Sequence, residues 1–311
     1  MTEISINKWF RRREPNQIAP SANVILNIAF ILLAASCVLP IVVVLSISLS
    51  TEASIMQQGY GLLPREFSLQ AYDFLFKDGS VVSRAYAVTL FTTIVGTVLC
   101  VITVCLYAYP LSRPTFKFRK FFMFFIFFTM LFGGGMVASF VVNAGLLGLR
   151  DNIWIMVFPM AFSPFWVIVM RTFYRTTIPE SLIESSKIDG AGEWYTLIRV
   201  VLPLSLPGIA TVALFSTIGI WNDFFLNMLY IRDPSLYNLQ RMINEVLTTI
   251  TIIQNLAFSI GQSGGTINFN DLPNETFRMA MCIVTIGPIV LAYPFFQKYF
   301  IRGLTIGAVK E

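Results

Sequence analysis

The sequence predicts an all-α integral membrane protein with six transmembrane helices and both termini in the cytoplasm. Three observations carry this expectation. Only 13% of the 311 residues are charged and the mean hydropathy is +0.71, whereas a soluble domain carries about a quarter charged residues. Six apolar stretches each approach or exceed the roughly 20 residues that cross a bilayer core. Fifteen of the 22 Lys and Arg fall on segments that are cytoplasmic if the N-terminus is inside, as the positive-inside bias requires.

The elements follow in order. Residues 1–21 read as a basic cytoplasmic segment holding Lys8, Arg11, Arg12 and Arg13, with Trp9 and Phe10 suited to the membrane interface. The apolar run 22–49 exceeds the about 7–15 residues of a signal h-region, so it reads as a retained first span. Spans over 85–111, 121–142, 152–170, 208–230 and 278–300 complete a transmembrane domain covering 22–311. In the third, "FFMFFIFFTMLFGGGM", the triplet Gly133–Gly135 should loosen the helix. Broken backbone is not tolerated against lipid, so the triplet should face protein or water. Pro40, Pro110, Pro159, Pro164, Pro288 and Pro294 lie in or at the ends of spans. Two outer segments are long, about 50–84 and 232–277. The second includes "IGQSGGTINFNDLPNET", whose Asn274-Glu275-Thr276 matches a short glycosylation sequon. Connections of that length are functional or flexible.

Several chemistries have no residues to run on. Histidine is absent, and Cys37, Cys100, Cys105 and Cys282 all lie in apolar runs with no metal-ligand spacing. There is no GxxxxGK[ST] loop and no HExxH. The chain is therefore read as a non-enzyme without a cofactor or metal of its own. Within the predicted spans Asp223 is the clear acidic residue, fewer than an ion-coupled carrier would show.

One inner segment stands out: "ESSKIDGAGEWYTLIRVVLPLSLP", Glu184 to Pro207. Thr177, Pro179 and Glu180 have the spacing of a capping box that opens a helix over about 179–188. Asp189-Gly190 makes a turn. Trp194, Leu197, Ile198 and Val201 then define one apolar face of a second helix, and Pro203 and Pro207 break the chain before span five. On residue chemistry alone, two readings stay open. The segment is a projecting element for a protein partner, or a loop lying on lipid headgroups.

The segment resembles the EAA motif of permease subunits in bacterial ATP-driven importers. That pattern is Glu, two small residues, any two, Asp-Gly-Ala, then eleven residues to a Leu-Pro-Leu region. Glu184, Ser185, Ser186, Asp189, Gly190 and Ala191 match, with serines at the two alanine positions, and eleven residues separate Ala191 from Pro203. "YAYPLSRPTFKFRK", "WNDFF" and "QKYFIRGLTIGAVKE" are similar to carbohydrate-importer permeases related to the maltose system. "LFGGGM", the long last outer loop and "LYNLQRMI" look more like the subgroup for aldouronate or other complex oligosaccharides.

The resemblance implies a type I ABC importer permease fold with a cytoplasmic coupling helix in a loop over about 176–206. It implies a second permease subunit, two ATPase subunits carrying ATP and Mg, and an extracellular sugar-binding protein, in the bacterial cell membrane. It assigns Glu184 to a basic residue of the ATPase, Asp189 and Gly190 to the turn, and Ala191 to close approach. For the substrate path, Asp223, Asn227 and Tyr230 are expected to share the face of one helix, with Trp221 and Phe225 one turn apart. Asn143 and the glycine triplet are further candidates for the cavity wall. Trp221, Asn222 and Asp223 also fit a structural or gating role. Tyr60, Arg65, Tyr72, Arg232, Tyr237 and Arg241 are of types enriched at interfaces and lie on the outer loops. The same architecture carrying a sugar alcohol or phosphosugar, and an ion-coupled carrier, remain as alternatives.

Overall fold

The structure, a computed structural model, describes residues 20–77, 79–262 and 275–308. The predicted basic segment, Asn274 of the sequon and most of the Gly/Ser/Asn-rich stretch lie outside these residues. The first stretch forms α1 (Pro20–Ser48), 29 residues and about 44 Å long at 1.5 Å per residue. Two short outer helices follow, α2 (Glu52–Gln58) and α3 (Gln70–Lys77). Thr51 caps α2, its Oγ1 accepting the Ser54 N–H at 3.3 Å. The second stretch lies in α4 (Gly79–Ser112). Among the described residues, α1 and α4 are each long and apolar enough to cross a membrane unbroken, and three bent helix pairs qualify when taken together.

The third predicted span is one of the bent pairs. It comprises α5 (Arg119–Leu131) and α6 (Gly135–Phe140), which runs on into a π-helical turn, Val141–Leu146. The chain bends by 113° between the two arms. Gly135 has φ +77°, a conformation that side chains with a Cβ resist. The triplet therefore does more than loosen the helix, because it reverses much of its direction. The fourth span starts with two 3₁₀ turns, Ile153–Met156 and Phe158–Met160, then bends 43° into α7 (Pro164–Thr177).

The inner segment holds α8 (Glu180–Ile188), α9 (Glu193–Tyr195), a π-helical stretch Thr196–Val201 and α10 (Leu202–Leu204). A 79° bend at Ser205 leads into α11 (Leu206–Trp221), so Pro203 and Pro207 mark the break as expected. The fifth span does not continue to residue 230. It stops at Trp221, and α12 (Phe225–Tyr230) is a separate helix. After a 3₁₀ turn at Pro234–Leu236 comes α13 (Leu239–Gln262), 24 residues inside what read as a loop. The last stretch lies in α14 (Glu275–Ala308).

The helix α4 is the hub, packed against α7, α11 and α13. Glycine sets the close approaches. A Cβ on Gly96 would meet Ile220 Cδ1 at 2.8 Å, and one on Gly208 would meet Phe173 at 3.1 Å and Met170 Sδ at 3.2 Å. Small residues of this kind let membrane helices approach, and hydroxyl pairs add to the contact. Here Thr97 and Thr217 hydroxyls lie 3.2 Å apart and Ser216 Oγ donates to Cys100 Sγ at 3.3 Å. All four cysteines are free. The largest core cluster, with Val104, Ala108, Val167, Met170, Tyr174, Ile183, Leu197 and Val201, ties α4 and α7 to the inner segment. By contrast α1 packs on α14 and is otherwise exposed along most of its length.

Candidate functional site

The inner turn is closed by its own backbone. Gly190 has φ +80°. Its N–H donates to Lys187 O at 3.0 Å, and the Ala191 N–H donates to Ser186 O at 3.0 Å. This is a Schellman motif, which satisfies the last carbonyls of α8 and requires a residue that tolerates the left-handed region. Asp189 occupies the helix C-cap, with φ −72° and ψ 4°. The two residues expected to make the turn do make it.

The N-terminal side differs from expectation. Thr177 is the last residue of α7 and caps nothing, and Pro179 precedes α8 with no side-chain cap. The capping box fails because helix α7 runs on through Thr177, whose backbone is then helical and not extended as an N-cap must be. The second apolar face also differs. Leu197 and Val201 are 2% and 0% exposed, while Trp194 and Ile198 are 68% and 55% exposed. The π-helical stretch Thr196–Val201 has a longer repeat than 3.6 residues. Residues three apart therefore no longer share a face, and the four apolar side chains split into an inner and an outer pair.

One buried anchor and two polar links hold the two limbs of the turn, and a third polar link runs from it to α4. Ile183, 3% exposed, roots α8 in the core. Ser186 Oγ lies 2.8 Å from Thr196 Oγ1, and Lys187 Nζ is 2.7 Å from Glu193 Oε1. Tyr109 OH donates to Glu193 Oε2 at 2.6 Å. Lys187 and then Tyr109 hold the Glu193 carboxyl below the usual carboxylate range. Sequence reasoning missed Glu193, Lys187, Thr196 and Tyr109. Opposite charges on either side of an Asp-Gly turn could have suggested the first two. Nothing in the sequence links Tyr109 to them. Among the described residues Glu184 makes no ion pair, and Glu184, Ile188 and Asp189 all face outward.

The expected substrate-path residues do not share one helix face. Asp223 lies in the break between α11 and α12, where its Oδ1 accepts the Leu226 N–H at 3.4 Å. Asn227 is fully buried. Its Nδ2 donates to Leu236 O at 2.9 Å and lies 2.9 Å from Met156 Sδ. Tyr230 is buried, stacks on Phe140 at 5.4 Å, and accepts from Asn143 Nδ2 at 3.3 Å. Trp221 is buried against Ala85 and Leu239, and its Nε1 donates to Thr285 O at 3.3 Å. Asn222 is exposed and accepts from Gln240 Nε2 at 3.4 Å. The break falls at Asn222–Phe224, and "WNDFF" itself holds neither Pro nor Gly to mark it.

The loops expected to lie outside are knit together. Arg241 Nη1 donates to Asn227 O and Ile231 O, both at 2.7 Å, and its guanidinium lies 4.0 Å from the Tyr237 ring centroid. Asp151, with φ +53°, accepts the N–H groups of Arg232 and Asp233. The Arg232 N–H is the first cause holding the Asp151 carboxyl below its usual range. Glu52 Oε2 accepts from Thr276 N at 3.1 Å and Thr276 Oγ1 at 2.9 Å, capping α14. Arg241 is thus turned inward, whereas Tyr60 stays exposed.

Comparison with known proteins places this geometry. The model of the family described as binding-protein-dependent transport system inner membrane component matches residues 108–306. The chain is 37% identical over 273 residues to protein LplC of Bacillus subtilis (strain 168), covering 88% of this chain and 89% of that protein. It is 35% identical over 274 residues to the polygalacturonan/rhamnogalacturonan transport system permease protein YtcP of the same strain, covering 88% and 93%. Among solved structures it matches a chain of a bacterial ABC transporter involved in the import of the acidic polysaccharide alginate. That match has a TM-score of 0.77 at 30% identity, covering 91% of this chain and 99% of that one.

Proposed function

The chain belongs to the family of binding-protein-dependent transport system inner membrane components, and on that premise we propose that it is the oligosaccharide-conducting permease subunit of an ATP-driven importer. It is a multi-pass component of the bacterial cell membrane. The observation that carries the reading is the Glu184–Ala191 turn. Its backbone is fully closed by a Schellman motif while its carboxylates and Ile188 point outward, as a surface made for a protein partner requires. The partner is an ATPase subunit, one of two, which carry the ATP and Mg. Glu184 meets a basic residue on it, Ser185 and Ser186 keep the approach small, Asp189 and Gly190 hold the bend, and Ala191 allows close contact. A second permease subunit and an extracellular sugar-binding protein complete the assembly.

The domain reading follows: residues 1–21 as a cytoplasmic segment, 22–311 as a six-span domain with both ends inside, and outer loops about 50–84 and 232–277 facing the binding protein. Among the described residues, sequence neighbours aside, nothing lies within 4 Å of a Cβ built on Gly133 or Gly135. Exposed bent backbone cannot face lipid, so the second permease or a water-filled path covers it. Of the substrate-path residues, we assign Asn222 and Asp223 to contact with sugar, and Trp221, Asn227, Tyr230 and Asn143 to holding that break in position. The relatives named for polygalacturonan/rhamnogalacturonan and for alginate support an acidic, uronate-containing oligosaccharide as the cargo. The reading is tested by proteoliposomes containing the four membrane-bound subunits and the binding protein. Uptake of labelled oligogalacturonide should require ATP on the ATPase side. Uptake without any ATPase subunit would overturn it.

A further inference from the structure

We propose that Tyr109 and Glu193 form a strut, braced by Lys187 and Arg113, that carries the movement of the inner turn into α4. The proposal rests on the reading of Glu184–Ala191 as the surface an ATPase drives. It goes further by naming the route from that surface into the membrane helices.

Glu193 follows the turn and Lys187 precedes it, and one carboxylate joins them. Its Oε1 takes Lys187 Nζ at 2.7 Å and its Oε2 takes Tyr109 OH at 2.6 Å. Contacts of this charge-assisted kind are shorter and stiffer than neutral ones. The other polar link at the turn, Ser186 to Thr196, ties the two limbs only to each other. Among the described residues, Glu193 to Tyr109 is the polar contact that runs from the turn to α4.

Tyr109 is suited to receive it. It is 5% exposed and sits in the last turns of α4, where the ring belongs to the main core cluster. Arg113, one turn on, lies with its guanidinium carbon 5.0 Å from the ring centroid, a cation–π contact that fixes the ring. Its Nε is buried and has no hydrogen-bond partner among the described residues. Burial in turn lowers the Arg113 pKa from its ordinary value. The hub helix α4 packs on both α7 and α11, so a pull at Tyr109 reaches three helices. A cleft of about 410 Å³ walled by Leu106, Pro110, Phe116 and Trp194 opens beside the strut. It leaves α9 room to tilt against α4 without displacing packed core.

The test uses the assembled importer in proteoliposomes with labelled oligogalacturonide as probe. Tyr109→Phe and Glu193→Ala are compared with the wild type, and Gly190→Leu serves as control. Two quantities are read: ATP hydrolysed per probe molecule taken up, and the nitroxide–nitroxide distance between labels at Leu182 and Val98 with and without vanadate trapping. In the wild type the two labels move as one and their distance distribution stays narrow. In Tyr109→Phe it broadens, and ATP per molecule rises about tenfold or more, the ratio that one hydrogen bond to a charged group is worth. The distance reads the strut even if the probe is not the native sugar. Wild-type distances and stoichiometry in both variants, with Gly190→Leu uncoupled, would overturn the strut and leave the coupling reading intact. Full uptake by Gly190→Leu would instead sink the coupling reading itself.

Discussion

The inner turn and the outer break at Trp221–Arg241 are both interruptions rich in polar residues, yet they treat those residues in opposite ways. At the outer break Asn227, Asn238, Arg241 and Asp151 spend their hydrogen bonds inside the chain, on carbonyls and N–H groups of neighbouring loops. At the inner turn the backbone is satisfied internally, but Glu184 and Asp189 are left outward beside an 85% exposed Ile188. Both regions cost order, because each fixes a loop that would otherwise be free. The outer one is repaid within the chain. The inner one is repaid only when something docks on it.

That difference can be broken by mutation, most severely at Gly190. A residue with a Cβ resists φ +80° by about 1–2 kcal/mol, a factor of roughly 5–30 in population. Gly190→Leu should lower oligogalacturonide uptake by at least about that factor while ATP hydrolysis by the complex continues. Glu184→Lys, which alters the contact and not the fold, should do the same with unchanged thermal stability. At the outer break the effect should be on stability instead. Arg241→Met removes donors to two carbonyls from a largely buried guanidinium, a loss of about 1.5–3 kcal/mol. Thermal unfolding in detergent should show it, and uptake per folded molecule should hold.

A smaller effect is expected between helices. Gly96→Leu places atoms into Ile220, and overpacking of this kind costs about 1–3 kcal/mol, partly relieved because Ile220 can change rotamer. The mildest is a pH effect at Glu193. Its native carboxyl is held low by Lys187 and Tyr109, so its contribution is present above the unfolded value and fades as pH falls through the lower native one. The site is mostly exposed and the change correspondingly slight. Tyr109→Phe should reduce this acid sensitivity, which a pH series of unfolding temperatures would reveal.

Much of this contrast was legible beforehand. The apolar stretches found their helices because length and hydropathy are local properties. The Gly133–Gly135 and Pro203/Pro207 breaks were legible because those residues constrain backbone wherever they stand. The Asp189-Gly190 turn was legible for the same reason. The break after Trp221 was not, since Asn222 and Asp223 can be carried within a helix and lack the backbone constraint of Pro or Gly. Thr177 misled because a capping pattern has no meaning if the preceding helix has not ended. Helix α13 read as loop because its polar face and its position outside the spans outweighed its periodicity. Trp194 and Ile198 misled because a π-helical stretch changes the repeat on which the face was counted. Tyr109 was invisible for a different reason: it lies 84 positions from its partner Glu193, a distance only the fold closes.

Coupling depends on what touches the inner turn. Ile188 is exposed, lies in the last turn of α8, and supports no core contact. Replacing it with a benzophenone-bearing amino acid in the assembled importer and irradiating gives a direct answer. The account predicts a covalent adduct to the ATPase subunit, lost in Glu184→Lys and absent when the same probe stands at Tyr60 on the outer loop. Adducts to lipid alone at Ile188, with the ATPase bound and active, would contradict it.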